Sequence, residues 1–191
     1  MRKLQLRLLL SIVFAAAFIS TSFSQVVISQ VYGGGGNTGA TYTHDFIELF
    51  NRGTSPISLA GWSLQYASAT GTGNFGSSAT QITELPNVIL QPGQYFLVQQ
   101  AGGATGVALP TADLIDPTPI SMAAGGGKVA LVNTTTPLGC NGSSTPCSVA
   151  SLATIVDLVG YGSSTNFYEG SGPTATISAI LSVQRKENGC S

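Results

Sequence analysis

Almost nowhere does this chain sustain the i, i+3, i+4, i+7 apolar spacing of an amphipathic helix. What recurs is a short alternating apolar and polar run closed by Gly, Pro, Asn or Ser, the pattern of a strand ended by a turn. Val26–Tyr32 (VVISQVY) is the first such run, followed by the long glycine-rich loop GGGGNTGATYTH. DFIELFN, residues 45–51, is the second, turned by Asn51-Arg52-Gly53. ISLAGWSLQYAS (57–68) is the third, with Trp62, Leu64 and Tyr66 on one face and Ser63, Gln65 and Ala67 on the other. TQITEL and VIL are shorter candidates. Pro92-Gly93 is a turn signal, because Pro presets φ and Gly accepts the positive φ of a type II turn. YFLVQQ, KVALVN and ATIVDLVGYG complete the strong strands, and 101–124 reads as a Gly- and Pro-rich surface excursion. No internal repeat stands out. Short strands with no crossover helix predict an antiparallel sandwich, a closed barrel being the alternative.

The first 24 residues stand apart. Arg2, Lys3 and Arg7 precede an apolar core from Leu8 to Ile19, and STSFS ends in small residues before Gln25. This is the layout of a secretory signal peptide with cleavage after Ser24. The apolar run is short for a membrane span of ~20 residues, an uncleaved anchor being the alternative. Every later apolar run is broken by Gly, Pro or polar residues, so no membrane attachment is expected after cleavage. Residues 25–191 then form one domain by length. The mature segment keeps Arg52, Lys128, Arg185 and Lys186 against eight acidic residues. Cations so few and scattered do not make a phosphate-binding surface, so nucleic-acid binding by this chain alone is not expected. Hydrophobic residues at 43% are enough for a core.

Export frames the cysteines. Cys140 and Cys147 bracket the polar stretch CNGSSTPC, and an oxidising compartment favours a disulfide between them. Cys190 is then the odd thiol. One histidine and no CxxC pair exclude a tetrahedral zinc set.

Several motifs tempt and fail in context. Gly71–Gly76 (GTGNFG) matches G-x-G-x-x-G, but a strand-like segment follows it, where a dinucleotide site requires a helix. Gly125–Lys128 (GGGK) has no Ser or Thr after the lysine to reach magnesium. NTT at Asn133 and NGS at Asn141 fit the N-glycosylation acceptor pattern, and both fall in expected loops. His44 sits directly before Asp45 with no nucleophile elbow anywhere, and reads as a surface histidine. Asp45 and Glu48 leave a strand on opposite faces and cannot form a glycosidase pair. No catalytic residues, cofactor or metal ligands are therefore assigned.

Glu48 shares its face with Phe46 and Phe50, while Ile47 and Leu49 take the other, so this strand is expected to be central. A carboxylate among phenylalanines requires a partner. Arg52 or the N–H groups of the Leu59–Trp62 turn are the expected ones, making Glu48 a structural latch and Trp62 the large core anchor. In IVDLVGYG, Val156 and Leu158 are expected inward, with Asp157 outward or satisfied by a loop.

DFIELFNRGTSPISLAGWSLQY resembles the signature of lamin tail domains, a strand F-I-E-L-x-N followed by a turn and L-x-G-W-x-L. The stretches LQPGQYFLV, GKVALVN and VDLVGYG follow in the family's order, so the resemblance covers most of 26–165. It is closest to the secreted bacterial versions. It implies an immunoglobulin-like antiparallel β-sandwich and a non-catalytic module that binds or positions a protein, cell-surface or substrate partner. In exported proteins such modules are often joined to nucleases, phosphatases or adhesive repeats. Phe46, Ile47, Glu48, Leu49, Asn51, Gly61 and Trp62 match the motif and are read as fold-defining. Relatives usually run on past the final cysteine, whereas here 177–185 looks like a strand cut short. The alternatives are an accessory domain or fragment of a secreted nuclease- or phosphatase-type enzyme, and a calcium- or carbohydrate-binding sandwich using the loops 33–43 and 101–124.

Overall fold

The computed structural model describes residues 25–186; the expected signal peptide and Cys190 lie outside them. Among the described residues eleven strands and one short α-helix follow in order, with a single 3-10 turn at Ala79–Gln81 before β5. They are β1 (Val26–Tyr32), β2 (His44–Asn51), β3 (Ile57–Ser58), β4 (Ser63–Ser68), β5 (Ile82–Glu84), β6 (Ile89–Leu90), β7 (Tyr95–Gly102), β8 (Leu114–Ile115), β9 (Gly127–Val132), α1 (Val149–Thr154), β10 (Ile155–Tyr161) and β11 (Val183–Gln184). One sheet has the order β11-β1-β2-β7-β8 and the other β10-β9-β4-β5, with β3 and β6 as a small ribbon. The chain is an all-β, immunoglobulin-like sandwich, and β2 is central in its sheet as expected.

Period-2 alternation builds the layer between the sheets. Ile47 and Leu49 from β2, Phe96 and Val98 from β7, Leu64 and Tyr66 from β4, and Val129 and Leu131 from β9 all enter one buried cluster. A bulge between Ile28 and Gln30 shifts the phase of β1. Ile28 and Val31 therefore both face inward, and Tyr32 turns outward to stack on Phe46 at 5.4 Å. A second, smaller cluster lies on the outer face of the second sheet, where Phe75, Ala130, Val132, Leu138 and Cys140 meet Leu158.

Four expectations change. The run 57–68 is two strands, because Gly61 takes φ +76° and turns the chain between them. The segment 101–124 is more than a surface excursion. Its β8 pairs in parallel with β7, and Ile120 and Met122 are buried in the main core. A bulge between Ile155 and Asp157 changes the phase of β10. Val156 stays with the main core but Leu158 joins the outer cluster, while Asp157 points toward the other sheet. Helix α1 was not expected; Ser148 caps it, its hydroxyl accepting the Ser151 N–H.

Candidate functional site

The motif strand β2 carries residues of both faces to structural tasks. Ile47 and Leu49 are fully buried between the sheets. On the opposite face Phe46 packs with Tyr32 and Tyr42, and Phe50 lies 4.5 Å from the Tyr95 ring. Asn51 is fully buried, donating from Nδ2 to the Leu90 and Ser55 carbonyls at 2.8 and 3.0 Å. Its Oδ1 accepts the Gly53 N–H. It therefore ties the end of β2 to β6 and to its own turn. Gly61 makes the turn described above. Trp62 is only half-buried at the edge of the main core, and among the described residues the fully buried aromatics are Phe75 and Tyr161. The anchor role expected of Trp62 falls to them.

Glu48 does not latch the Leu59–Trp62 turn. Its Oε1 accepts from the Ser29 hydroxyl at 2.7 Å, and that hydroxyl also reaches the Glu48 carbonyl at 3.1 Å. The bulge at Ser29 brings this hydroxyl beside β2. The turn amides have other acceptors: Ala60 N–H donates to Ser58 Oγ and Trp62 N–H to the Leu59 carbonyl.

Asp45 begins the inward-facing series of β2, and it is 4% exposed. Its carboxylate accepts the Gly35 N–H at 2.8 Å and the Met122 N–H at 3.0 Å. It thereby joins the two long glycine-rich loops to the sheet. Burial pushes its carboxyl up to about 7, the two amides acting in the opposite sense. Next to it, Tyr161 Oη donates to the Ala123 carbonyl and the Ala123 N–H donates to Tyr66 Oη. Burial raises both phenols as well, with the charge of Asp45 adding to it. His44 is half-buried, its Nδ1 2.9 Å from Thr43 Oγ1 and its ring against Gly102. A Cβ on Gly102 would come within 2.3 Å of that ring.

A groove of about 600 Å³ lies between the rims of the two sheets, walled by β1 and β11 on one side and β10 on the other. At its base Asp157, 4% exposed, accepts the Ile28 N–H at 2.6 Å and faces the Arg185 guanidinium at 2.5 Å. Arg185 Nε donates to the Ile28 carbonyl at 3.1 Å, and Glu169 stands 3.6 Å from the same guanidinium. Burial raises the Asp157 carboxyl to about 6; Arg185 and the Ile28 amide lower it, and Glu169 raises it further.

Lys128 from GGGK is fully buried, which the motif reading did not foresee. Its Nζ donates to the Asn141 carbonyl at 2.9 Å and to Asn166 Oδ1 at 3.0 Å, and lies 5.9 Å from the centre of the Phe75 ring. Desolvation lowers its pKa. The ammonium holds the loop closed by the Cys140–Cys147 disulfide, which forms as expected with a Cα–Cα distance of 5.0 Å. The Gly71–Gly76 stretch is a loop that buries Phe75. Among the described residues no group of three or more His, Cys, Asp or Glu side chains could hold a metal ion, and no helix is long and apolar enough to cross a membrane.

F-I-E-L-x-N lies on the central strand β2, and the Gly61 turn directly precedes Trp62. The lamin tail domain model matches residues 19–163, and the chain belongs to that family. Among solved structures, the fold is similar to a DUF4876 family protein from Bacteroides thetaiotaomicron, at 12% sequence identity and a TM-score of 0.45. The match covers 74% of this chain and 54% of that one, so the chain spans about half the length of that relative. No curated protein matches the sequence.

Proposed function

We propose that this chain is an exported, non-catalytic lamin tail module that holds a protein, cell-surface or substrate partner. One observation carries the reading: its buried carboxylates are committed to holding the fold. Asp45 binds two backbone amides. Asp157 binds an amide and a guanidinium. Asp116 accepts from the Thr83 hydroxyl and the Thr118 N–H. A general acid or base needs a carboxyl free to meet a substrate, and these carboxyls are taken up by protein donors, Asp157 at the base of the groove included. The groove supplies the concave surface that a binding module uses. The Cys140–Cys147 disulfide is in keeping with an oxidising compartment, and so with export through the N-terminal segment.

The test uses the purified mature chain, residues 25–191. It is expected to show no turnover of DNA, phosphoesters or glycosides above buffer, and to capture a specific partner from the native envelope or culture fluid. Turnover abolished by Asp45→Ala or His44→Ala would overturn the proposal.

A further inference from the structure

We infer that the outer edge of β10 receives an extended peptide of a partner protein, which enters the groove beside β1 and adds one strand to the second sheet. This rests on the binding-module reading and names the class of partner.

The hydrogen bonds along the two rims carry the argument. Thr174 N–H donates to the Gly160 carbonyl at 2.8 Å, and Gly162 N–H donates to the Thr174 carbonyl at 3.1 Å. Gly160 and Gly162 thus aim their backbone groups away from β9. Antiparallel pairing alternates, so Leu158, two residues before Gly160 and opposite Ala130, aims its own groups the same way. Among the described residues, the Leu158 N–H and C=O and the Gly160 N–H meet no partner on that edge. Donor, acceptor and donor at strand spacing form a template for an incoming backbone. Thr174 already pairs with the next position in parallel, so the edge is competent for strand addition within this fold.

The facing rim is treated differently. On β1 the Ile28 N–H is taken by Asp157 and its carbonyl by Arg185 Nε, while the Ser29 carbonyl accepts the Arg185 N–H. Two side chains and the Arg185 backbone N–H cap one edge, and the other lines the same groove. Residues of β11 and of the 169–175 segment line the same groove as this edge, and walls on both sides suit a single extended chain better than the sheet edge of a second folded copy. At about 600 Å³ it is within the ~300–1,000 Å³ range of ligand pockets. Valines 27, 31, 159 and 183 line it, suiting small apolar side chains. Glu169 is 63% exposed and shares the Arg185 guanidinium with Asp157. The lining charges balance, Asp157 and Glu169 against Arg52 and Arg185, so the preference for a cationic residue is local to the exposed Glu169 carboxylate.

The experiment titrates ¹⁵N-labelled mature protein with the peptide acetyl-Thr-Val-Lys-Val-Thr-amide, and with twins N-methylated at alternate amides. Shifts and slowed exchange are expected at the Leu158 and Gly160 amides and not on β5. At least one methylated twin should bind about tenfold more weakly, from the loss of one or two hydrogen bonds. Glu169→Gln should weaken the lysine peptide about two- to fivefold and leave a norleucine analogue unchanged. Equal binding of all twins, or no shift at millimolar peptide, overturns the inference. So does protection of both amides in peptide-free protein that disappears in a chain ending at Lys186, which would place the chain's own tail there. Concentration-dependent shifts matching a dimer by sedimentation would assign the edge to a second copy instead. Shifts confined to another face defeat this docking site and leave the non-catalytic module standing; substrate turnover defeats that module and leaves the edge measurement intact.

Discussion

Asp45 and Asp157 are equally buried, each 4% exposed, and each fastens a backbone amide of another element. Their partners differ in kind. Asp45 is held by two neutral amides, from Gly35 and Met122, whereas Asp157 has one amide and a guanidinium. Burial raises both carboxyls, to about 7 and about 6 respectively. The contrast teaches how an interior carboxylate can be carried. Dipoles alone leave much of the desolvation cost standing, while a partner charge offsets more of it even with Glu169 working against it.

The largest expected effect tests the uncompensated member. The folded-state pKa of Asp45, about 7, lies above the unfolded 3.8. Between those values the folded chain holds a proton that the unfolded chain has released. Its contribution to stability is therefore fully present below about pH 4 and is lost as pH rises through about 7. At 1.36 kcal/mol per pH unit the swing is about 4 kcal/mol. Asp157 adds to it in the same direction, losing its part as pH rises through about 6. Thermal unfolding of residues 25–191 should give a Tm that rises from pH 8 to pH 5. Asp45→Asn should remove most of that slope, leaving the smaller part due to Asp157. A wild-type Tm that falls over the same interval breaks the comparison.

Next in size is the removal of the compensating charge. Arg185→Met strips Asp157 of its cation and Ile28 of a carbonyl partner. A fully buried pair loses ~3–5 kcal/mol on such a change. Arg185 is 20% exposed, so about 2–3 kcal/mol is expected in a denaturant titration. Adding Asp157→Asn should restore part of the loss, because no bare charge then remains. A double variant weaker than the sum of the singles would show that Asp157 is not the residue Arg185 serves.

These two sites were unequally legible in the sequence. Alternation sorted the strand faces because side chains on a strand must change face at each residue, so Ile47 with Leu49 and Leu64 with Tyr66 could be put on common faces from spacing alone. That logic fails wherever a bulge adds a residue. The bulges at Ser29 and between Ile155 and Asp157 moved Val31 into the core, Leu158 out of it and Asp157 toward β1. No local residue type announces a bulge of this kind. The partners of the buried charges were hidden for another reason. Asp157 meets Ile28 across 129 positions and Arg185 across 28, and such pairings are set by topology. Lys128 opened the expected strand KVALVN with no depth assigned to it, and Ala130 and Val132 following on the same strand face are the one signal that could have marked it as buried. The disulfide and the motif turn were readable because their determinants are close in the chain.

The smallest effect concerns Glu48, the acidic residue most prominent in the motif. It differs from both buried aspartates in being half-buried and in accepting from a neutral hydroxyl, Ser29 Oγ at 2.7 Å. A glutamine carbonyl can accept the same bond from the same side. Glu48→Gln is therefore expected to cost less than about 1 kcal/mol, with the Ser29 hydroxyl still satisfied by the Glu48 main-chain carbonyl. Ser29→Ala should cost about 1 kcal/mol, since it removes the donor to both oxygens at once. If Glu48→Gln matched Arg185→Met in a denaturant titration, its carboxylate would be holding a charge partner of comparable weight. The ranking of amide-held, charge-held and hydroxyl-held carboxylates would then have to be abandoned. If Ser29→Ala were neutral, water would be replacing the hydroxyl at this outer face, and the motif glutamate would owe its place to the aromatic neighbours Phe46 and Phe50 on its strand.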